Sequence, residues 1–229
     1  MTLTLTEIIV APCLYLTCVW VMTRWMKSRM PFNCKMVMIP YNVVQVCLSA
    51  YITINLFPAM FRGNEWWNWC AVNTYNLDLY YYYYIHYYFK YFDFLDTMFI
   101  ILSKKEKQLS FLHVSHHTSV VLLNGLPIIL DAIDLYLVEA MINAFVHTIM
   151  YSYYLFSALG HKSKFKPYIT KMQLCQFFFA FYISIMVAWK SVHLHATTMA
   201  IGSAFYALYL IIFFTNFSNK TYGNHVKCT

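Results

Sequence analysis

Charge is what this chain has least of. Asp, Glu, Lys and Arg make up 11% of its 229 residues, 61% are hydrophobic, and the mean hydropathy is +0.52. A water-soluble domain of this length needs far more charged surface, so the composition excludes an ordinary soluble globule and points to a bilayer. Glycine and proline are also scarce, at 5 and 6 residues, which excludes long flexible linkers and low-complexity stretches. No internal repeat is evident, and a single membrane domain over 1–229 is the simplest organisation. Cysteine is present but unpatterned. Cys13, Cys18, Cys34, Cys47, Cys70, Cys175 and Cys228 form no CxxC and are odd in number. Most lie within apolar runs, where Cys acts as a small hydrophobe, so neither a disulfide framework nor a thiolate zinc site is expected.

What remains is long apolar runs. A helix needs about 20 apolar residues to cross the hydrocarbon core. Seven candidate spans follow, at 8–26, 37–59, 79–102, 110–130, 133–159, 168–189 and 196–217, which predicts an all-α polytopic membrane protein. The fourth and fifth are nearly continuous and should form a tight hairpin. The net charge of +7 forms no continuous stripe and sits in the gaps between runs, so nucleic-acid binding is not expected. Thirteen of the 16 Lys and Arg fall on one side of this topology, including Arg24, Lys27, Arg29, Lys104, Lys105, Lys107, Lys162, Lys164, Lys166 and Lys220. Arg62 and Lys190 fall on the other, with Glu7, Glu65, Asp78, Asp131 and Asp134. The positive-inside rule then places the N-terminus in the lumen and the C-terminus, with a tail at 218–229, in the cytosol. The first run follows Glu7 rather than a basic segment and should stay as a span rather than be cleaved. The sequons at Asn216 and Asn219 fall at the cytosolic end, where neither is expected to be glycosylated.

Charge inside a span costs about 2.5–3.5 kcal/mol at the membrane centre, so each embedded polar residue is informative. The third span carries Lys90, Asp93, Asp96 and Thr97. Lys90, Asp93 and Thr97 share a helical face, and Lys90 can pair with Asp93; a structural ion pair alone would account for those two. The fourth span carries His113, His116 and His117, three imidazoles on one face. The fifth carries Asn143 and His147, then Tyr151, Tyr153 and Tyr154; the sixth carries Thr170, Gln173 and Gln176. At 1.5 Å per residue, Asp93, Asp96, His116, Gln173 and His147 lie roughly 8–18 Å below the cytosolic surface. Helix–helix hydrogen bonding does not need four histidines at one level. Clustered imidazoles serve either as metal ligands or as bases and nucleophiles, and the spacing alone leaves both open.

The motifs carry a resemblance. Lys90-x-x-Asp93-x-x-Asp96-Thr97, His113-x-x-His116-His117, Asn143-x-x-x-His147-x-x-Met150-Tyr151-x-Tyr153-Tyr154 and Thr170-x-x-Gln173-x-x-Gln176 occur in that order on successive helices. Together they resemble the ELO family of very-long-chain fatty-acid elongases, the 3-ketoacyl-CoA synthases of the endoplasmic reticulum membrane. Met30-Pro31-Phe32, Tyr41-Asn42 and Thr215-Asn216-Phe217 are also family-like, so the resemblance runs over nearly the whole chain. One departure stands out: the family usually has Glu where this chain has Asp93, which keeps the charge and shortens its reach by one methylene.

The resemblance implies condensation of a long-chain acyl-CoA with malonyl-CoA, releasing CO2 and CoA, with no metal and no further cofactor. It implies His116 as acyl carrier and His147 as its partner. Asp93, Asp96, His113, His117 and Asn143 would orient imidazoles and stabilise charge, and Lys90, Tyr151, Tyr154 and Gln173 would contact substrate. Lys104 and Lys105, with the other basic loop residues, would meet the CoA phosphates or serve only as topology signals. The Tyr80–Tyr84 run with Tyr87 and Tyr88 reads as an interfacial aromatic belt, or else as a wall limiting chain length. His86, His161, His193, His195 and His225 read as loop or interfacial residues. A homodimer and the reductases and dehydratase of the elongation cycle are the partners the family implies. Two other classes compete. A di-iron desaturase or hydroxylase shares HxxHH but needs about eight histidines in three boxes, two of which are missing here. A non-enzymatic seven-helix transporter or receptor also buries Lys–Asp pairs, but lacks paired helix-breaking segments here. A catalytically silent relative is the third alternative, because of Asp93.

Overall fold

A computed structural model describes residues 3–58, 77–161, 164–191 and 194–222. Ala59 at the end of the second expected span, Arg62, Glu65, Cys70, Lys162 and His193 lie outside the described residues, as does everything from 223 onward. The rest is helical, with no strand among the described residues: α1 Leu5–Met26, α2 Lys35–Leu56, α3 Leu77–Phe92, α4 Phe94–Leu102, α5 Phe111–Ile129, a 3-10 turn Ile133–Tyr136, α6 Leu137–Ala158, α7 Lys166–Lys190 and α8 Leu194–Tyr222.

Local chemistry explains the boundaries. Thr4 caps α1 through a reciprocal capping box with Glu7, whose carboxylate accepts from the Thr4 N–H at 2.7 Å. The fourth-to-fifth hairpin is as tight as expected. Asp131 adopts φ 50°, and the Ala132 N–H reaches back to the Pro127 carbonyl at 2.8 Å. Lys104 closes α4 in the same way at φ 49°, with Lys105 N–H on Ile100 O at 3.0 Å. Both are left-handed helix ends that satisfy an otherwise orphaned carbonyl. α8 runs to Tyr222, past the expected end at 217; no Gly or Pro stands between 217 and 222 to stop it.

The expected seven apolar spans are not all equally apolar. Among the described residues, five helical stretches are long and apolar enough to cross a membrane: α1, α2, Ile133–Ala158, α7 and α8. The other two depart for one reason, which is that they carry polar residues inward. The expected 79–102 span is divided at Asp93 into α3 and α4. The chain stays joined by Asp93 N–H to Phe89 O at 3.2 Å, then tightens to an i→i+3 bond from Asp96 N–H to Asp93 O. α5 spans 19 residues and includes all three clustered histidines.

Packing places these two helices inside. α3 contacts α5 and α6, α5 contacts α8, α8 lies along α7, and α7 contacts α6, so α3, α5, α8, α7 and α6 close a ring. α2 lies along α6, and α1 packs on α4 and α5. The α8 face is a stripe of buried Ala196, Ala200, Ala204 and Ala207, small residues that let helix backbones approach closely. Large apolar side chains such as Trp20, Ile54, Phe178 and Phe205 are exposed on the outside, as a lipid-facing surface requires.

The contact of α1 with the ring depends on one glycine. A Cβ on Gly125 would stand 2.5 Å from Ile8 Cγ2 and 3.2 Å from Tyr87. Gly125→Val is expected to cost about 1–3 kcal/mol through overpacking, read as a lowered unfolding midpoint in detergent. An unchanged midpoint would show that α1 is free to move aside.

Candidate functional site

The site is built from the two polar helices. Ser110 caps α5, its Oγ accepting from the His113 N–H at 3.1 Å, so the histidine motif occupies the first turns of that helix. On the facing side, the α3–α4 junction presents Asp93. Its carboxylate is buried, at 2% exposure, yet it is the centre of a polar network. Oδ1 accepts from Gln45 Nε2 of α2 at 2.8 Å. Tyr151 OH of α6 donates to Asp96 Oδ2 at 2.5 Å and stands 3.3 Å from Asp93 Oδ1. Gln45 Nε2 also donates to Tyr41 OH at 2.7 Å. Oδ2 faces the Lys90 ammonium at 3.5 Å and His147 Nδ1 at 3.8 Å. A buried charge must be paired and hydrogen-bonded to be tolerated, and the partners of Asp93 meet that need from α2, α3 and α6.

Lys90 has a second partner, donating to Asn143 Oδ1 at 2.7 Å. His86 Nε2 lies 3.2 Å from the same oxygen. An amide oxygen can only accept, so this contact places the His86 proton on Nε2.

The clustered histidines divide their contacts. His113 Nε2 and Thr97 Oγ1 are 2.9 Å apart, and Thr97 in turn bonds Tyr15 OH of α1 at 2.8 Å. His117 is buried between its neighbours, with ring centroids 4.4 Å from His113 and 5.7 Å from His116. His116 turns towards α8, with Nδ1 3.2 Å from Tyr206 OH. The Tyr206 oxygen also accepts from Ser119 Oγ at 2.8 Å, and Tyr209 OH bonds Ser115 Oγ at 2.7 Å. His147 stacks edge-on against Tyr151, with ring centroids 5.6 Å apart.

His116 and Asn143 meet at a cavity of ≈ 310 Å³ inside the ring. His86, Gln176 and Tyr206 line the same end, and Leu123, Phe179 and Met199 continue it as an apolar tunnel. Along α8 the lining runs from Leu210 to Thr198, about 18 Å at 1.5 Å per residue. Among the described residues, no group of three or more His, Cys, Asp or Glu side chains is arranged to hold a metal ion.

The structure therefore brings together Lys90, Asp93, Asp96, Asn143, His147 and Tyr151 in one network, with His113, His116 and His117 beside it. It does not bring in the others. Gln173 Nε2 turns to Met150 Sδ at 3.5 Å, and Gln176 takes its place on the cavity wall. Tyr154 is 39% exposed and meets Tyr151 and Tyr153 edge to face. Lys104 Nζ donates to Lys27 O at 3.4 Å, Lys105 is exposed, and neither lines the cavity.

Two sequence readings are corrected. His86 is no interfacial residue: it is 2% exposed, bonded to Asn143 and on the cavity wall. It shares a face with Lys90, Asp93 and Thr97 at i, i+4, i+7 and i+11, a spacing visible in the sequence. The tyrosine run is no simple belt either. Tyr80, Tyr83 and Tyr87 are buried core, with Tyr80 bonded to Asp134 and Tyr83 to Asn124 O at 3.2 Å, while Tyr81 and Tyr88 face outward. Nor is it the cavity wall, since His86 is the α3 residue that lines the cavity. Gln45, Tyr15 and Tyr206 lie in no motif, and Tyr41 stands in the sequence only as part of the family-like Tyr41-Asn42 pair with no role attached. Gln45 carried a usable signal: Tyr41, Asn42, Gln45 and Ser49 form a buried polar stripe on an otherwise apolar α2.

Comparison with known proteins identifies a family. The family model described as "ELO: GNS1/SUR4 family" matches residues 1–227. The chain is 36% identical over 219 residues to "Fatty acid elongase 4" of Trypanosoma brucei brucei, covering 92% of this chain and 82% of that protein. It is 33% identical to mouse "Very long chain fatty acid elongase 4", covering 92% and 70%. It is 31% identical to bovine "Very long chain fatty acid elongase 5", covering 94% and 74%.

Proposed function

The chain belongs to the ELO family of very-long-chain fatty-acid elongases, and on that premise we propose that it condenses a long-chain acyl-CoA with malonyl-CoA on His116. Membership makes it an acyltransferase-type enzyme of fatty-acid elongation and a multi-pass protein of the endoplasmic reticulum membrane, working beside the other enzymes of that pathway. The finer reading is a single domain of seven spans, α3 and α4 forming the third and α5 the fourth. Its N-terminus is lumenal, its C-terminus cytosolic, and the chain pairs as a homodimer. The acyl-CoA and malonyl-CoA headgroups approach from the cytosol, near the basic loops, and the acyl chain runs down the cavity between α5, α6, α7 and α8.

One observation carries the mechanism: His116 lines the acyl-sized cavity while its Nδ1 is engaged by Tyr206, leaving Nε2 for chemistry. Nε2 attacks the thioester carbonyl. The C–S bond breaks, the ring gives up its N–H proton, and CoA leaves as the thiol, with the acyl group held on imidazole. Malonyl-CoA then loses CO2, and the electron pair left on its α-carbon attacks the acyl carbonyl. The C–C bond forms, the C–N bond breaks, and the freed ring takes up a proton. His147, beside the Asp93 carboxylate, positions and activates the malonyl unit. His113 and His117 support the His116 ring; Lys90, Asp96, Asn143 and Tyr151 fix the carboxylate and amide that face it.

Membranes containing the protein, incubated with labelled malonyl-CoA and a panel of acyl-CoAs, should yield a 3-ketoacyl-CoA two carbons longer. No such product from any acyl-CoA overturns the proposal. Tyr206→Phe removes the hydroxyl that holds Nδ1, a hydrogen bond worth about 0.5–1.5 kcal/mol. It is expected to lower kcat several-fold with little change in KM for acyl-CoA. A change in KM alone would make Tyr206 part of the cavity wall only.

A further inference from the structure

The cavity wall also holds a carboxyl that this reaction does not use. Glu139 lies on α6 at i, i+4 and i+8 with Asn143 and His147, so it stands two turns from His147, about 12 Å along the helix at 1.5 Å per residue. It lines the cavity, with Tyr136 and Ser203 on the same stretch of wall. Its Oε1 accepts from Ser184 Oγ of α7 at 3.3 Å, and Ser184 is buried at 2% exposure. The surrounding lining, from Leu126, Ala140, Ile142 and Phe179, is apolar. A polar group in such a wall costs free energy unless it is hydrogen-bonded, and one serine satisfies only part of a carboxyl. The condensation develops its charges at the thioester and the His116 imidazole, and gives Glu139 no role there.

We infer that Glu139, held by Ser184, is a specificity-determining residue that hydrogen-bonds a hydroxyl carried on the acyl chain, so that hydroxylated acyl-CoAs are preferred over purely alkyl ones. A carboxylate accepts from such a hydroxyl, and a carboxylic acid both donates and accepts, so either form can bind it. An alkyl chain in the same place leaves Glu139 facing methylene groups. Sites built to bond a substrate hydroxyl reject analogues that lack it, because the buried partner is left unsatisfied.

This inference rests on the elongation reading, and the experiment separates the two. The full chain, in membranes, is given labelled malonyl-CoA with saturated acyl-CoAs and with matched acyl-CoAs whose single hydroxyl is moved along the chain. The quantity measured is the ratio of kcat/KM for each hydroxylated substrate to that for its alkyl partner. Being a ratio, it is independent of how much of a variant folds. The wild type is expected to show a ratio of tenfold or more at one hydroxyl position, set by how far along the cavity Glu139 stands from the acyl-carrying His116. Glu139→Leu is expected to bring that ratio to one or below, and Glu139→Gln, which keeps a donor and an acceptor, to retain most of it. Elongation of alkyl and hydroxylated chains at equal rates at every position overturns the inference alone, as does a preference that survives Glu139→Leu. Absence of elongation with any substrate overturns the underlying reading instead.

Discussion

His116→Ala is expected to abolish condensation, with kcat/KM falling roughly 10⁴-fold or more, as when a nucleophile acting within a catalytic unit is removed. The informative measurement is the half-reaction. Incubated with acyl-CoA alone, the wild-type chain should gain the mass of one acyl group, and His116→Ala should gain none. His147→Ala is expected to behave differently: it should still take up the acyl group and release CoA, yet fail to form product when malonyl-CoA is added. The two substitutions thus separate the proposed carrier from its proposed partner. An acyl adduct that persists in His116→Ala and vanishes in His147→Ala would reverse the assignment. Elution of each variant as the wild type does from a sizing column in detergent would show that these losses are chemical.

Asp93→Ala is expected to destabilise the fold by about 3–5 kcal/mol, because it leaves the Lys90 ammonium buried without its carboxylate. For a chain of this size that corresponds to a fall of about 6–20 °C in the unfolding midpoint, at about 2–4 °C per kcal/mol. Replacing both partners, in Lys90→Met with Asp93→Leu, is expected to recover most of the loss, since an apolar pair carries no unpaired charge. Activity should not recover with it, because the carboxylate beside His147 is gone in both variants. A double variant as unstable as Asp93→Ala would mean that Gln45 and Tyr151, rather than Lys90, are the groups left stranded. The same geometry bears on the shortened side chain. The Lys90 and His147 contacts stand at 3.5 and 3.8 Å, long for hydrogen bonds, while Gln45 at 2.8 Å is close. With Asp in place of the family's Glu, the carboxylate is held from α2 more firmly than from its own helix.

Periodicity made the motif helices legible. The i, i+3 and i+4 spacing of the histidines and the Lys90–Asp93 pair declare their faces because polar residues are rare in spans and their angular positions are fixed by 3.6 residues per turn. The break at Asp93 was not legible. It arises from a ladder that tightens locally around a side chain bonded to α2 and α6, and no Gly or Pro marks it. Partners from helices without motifs were equally hidden. Tyr206 is one of three tyrosines on α8 and Tyr15 the only one on α1; only the packing tells which of them touches a histidine. His86 and Glu139 are a different case, since each lies on the same face as motif residues and was missed by reading motifs rather than faces. Rim lysines, long and flexible on a solvated loop, carry no periodic signal that would fix their position.

The Lys90 contact also settles which way the Asn143 amide points. Its Oδ1 accepts from Lys90 at 2.7 Å and meets His86 Nε2 at 3.2 Å, so the side chain is not free to flip end for end. Asn143 nevertheless lines the cavity, and the polar atom left to serve it is Nδ2, a donor. The surface beside His116 is therefore built to receive an oxygen rather than to offer one. Under the proposed mechanism, the oxyanion of a tetrahedral carbonyl there would meet an N–H already locked in place, the condition under which such a donor favours a transition state without having to reorganise.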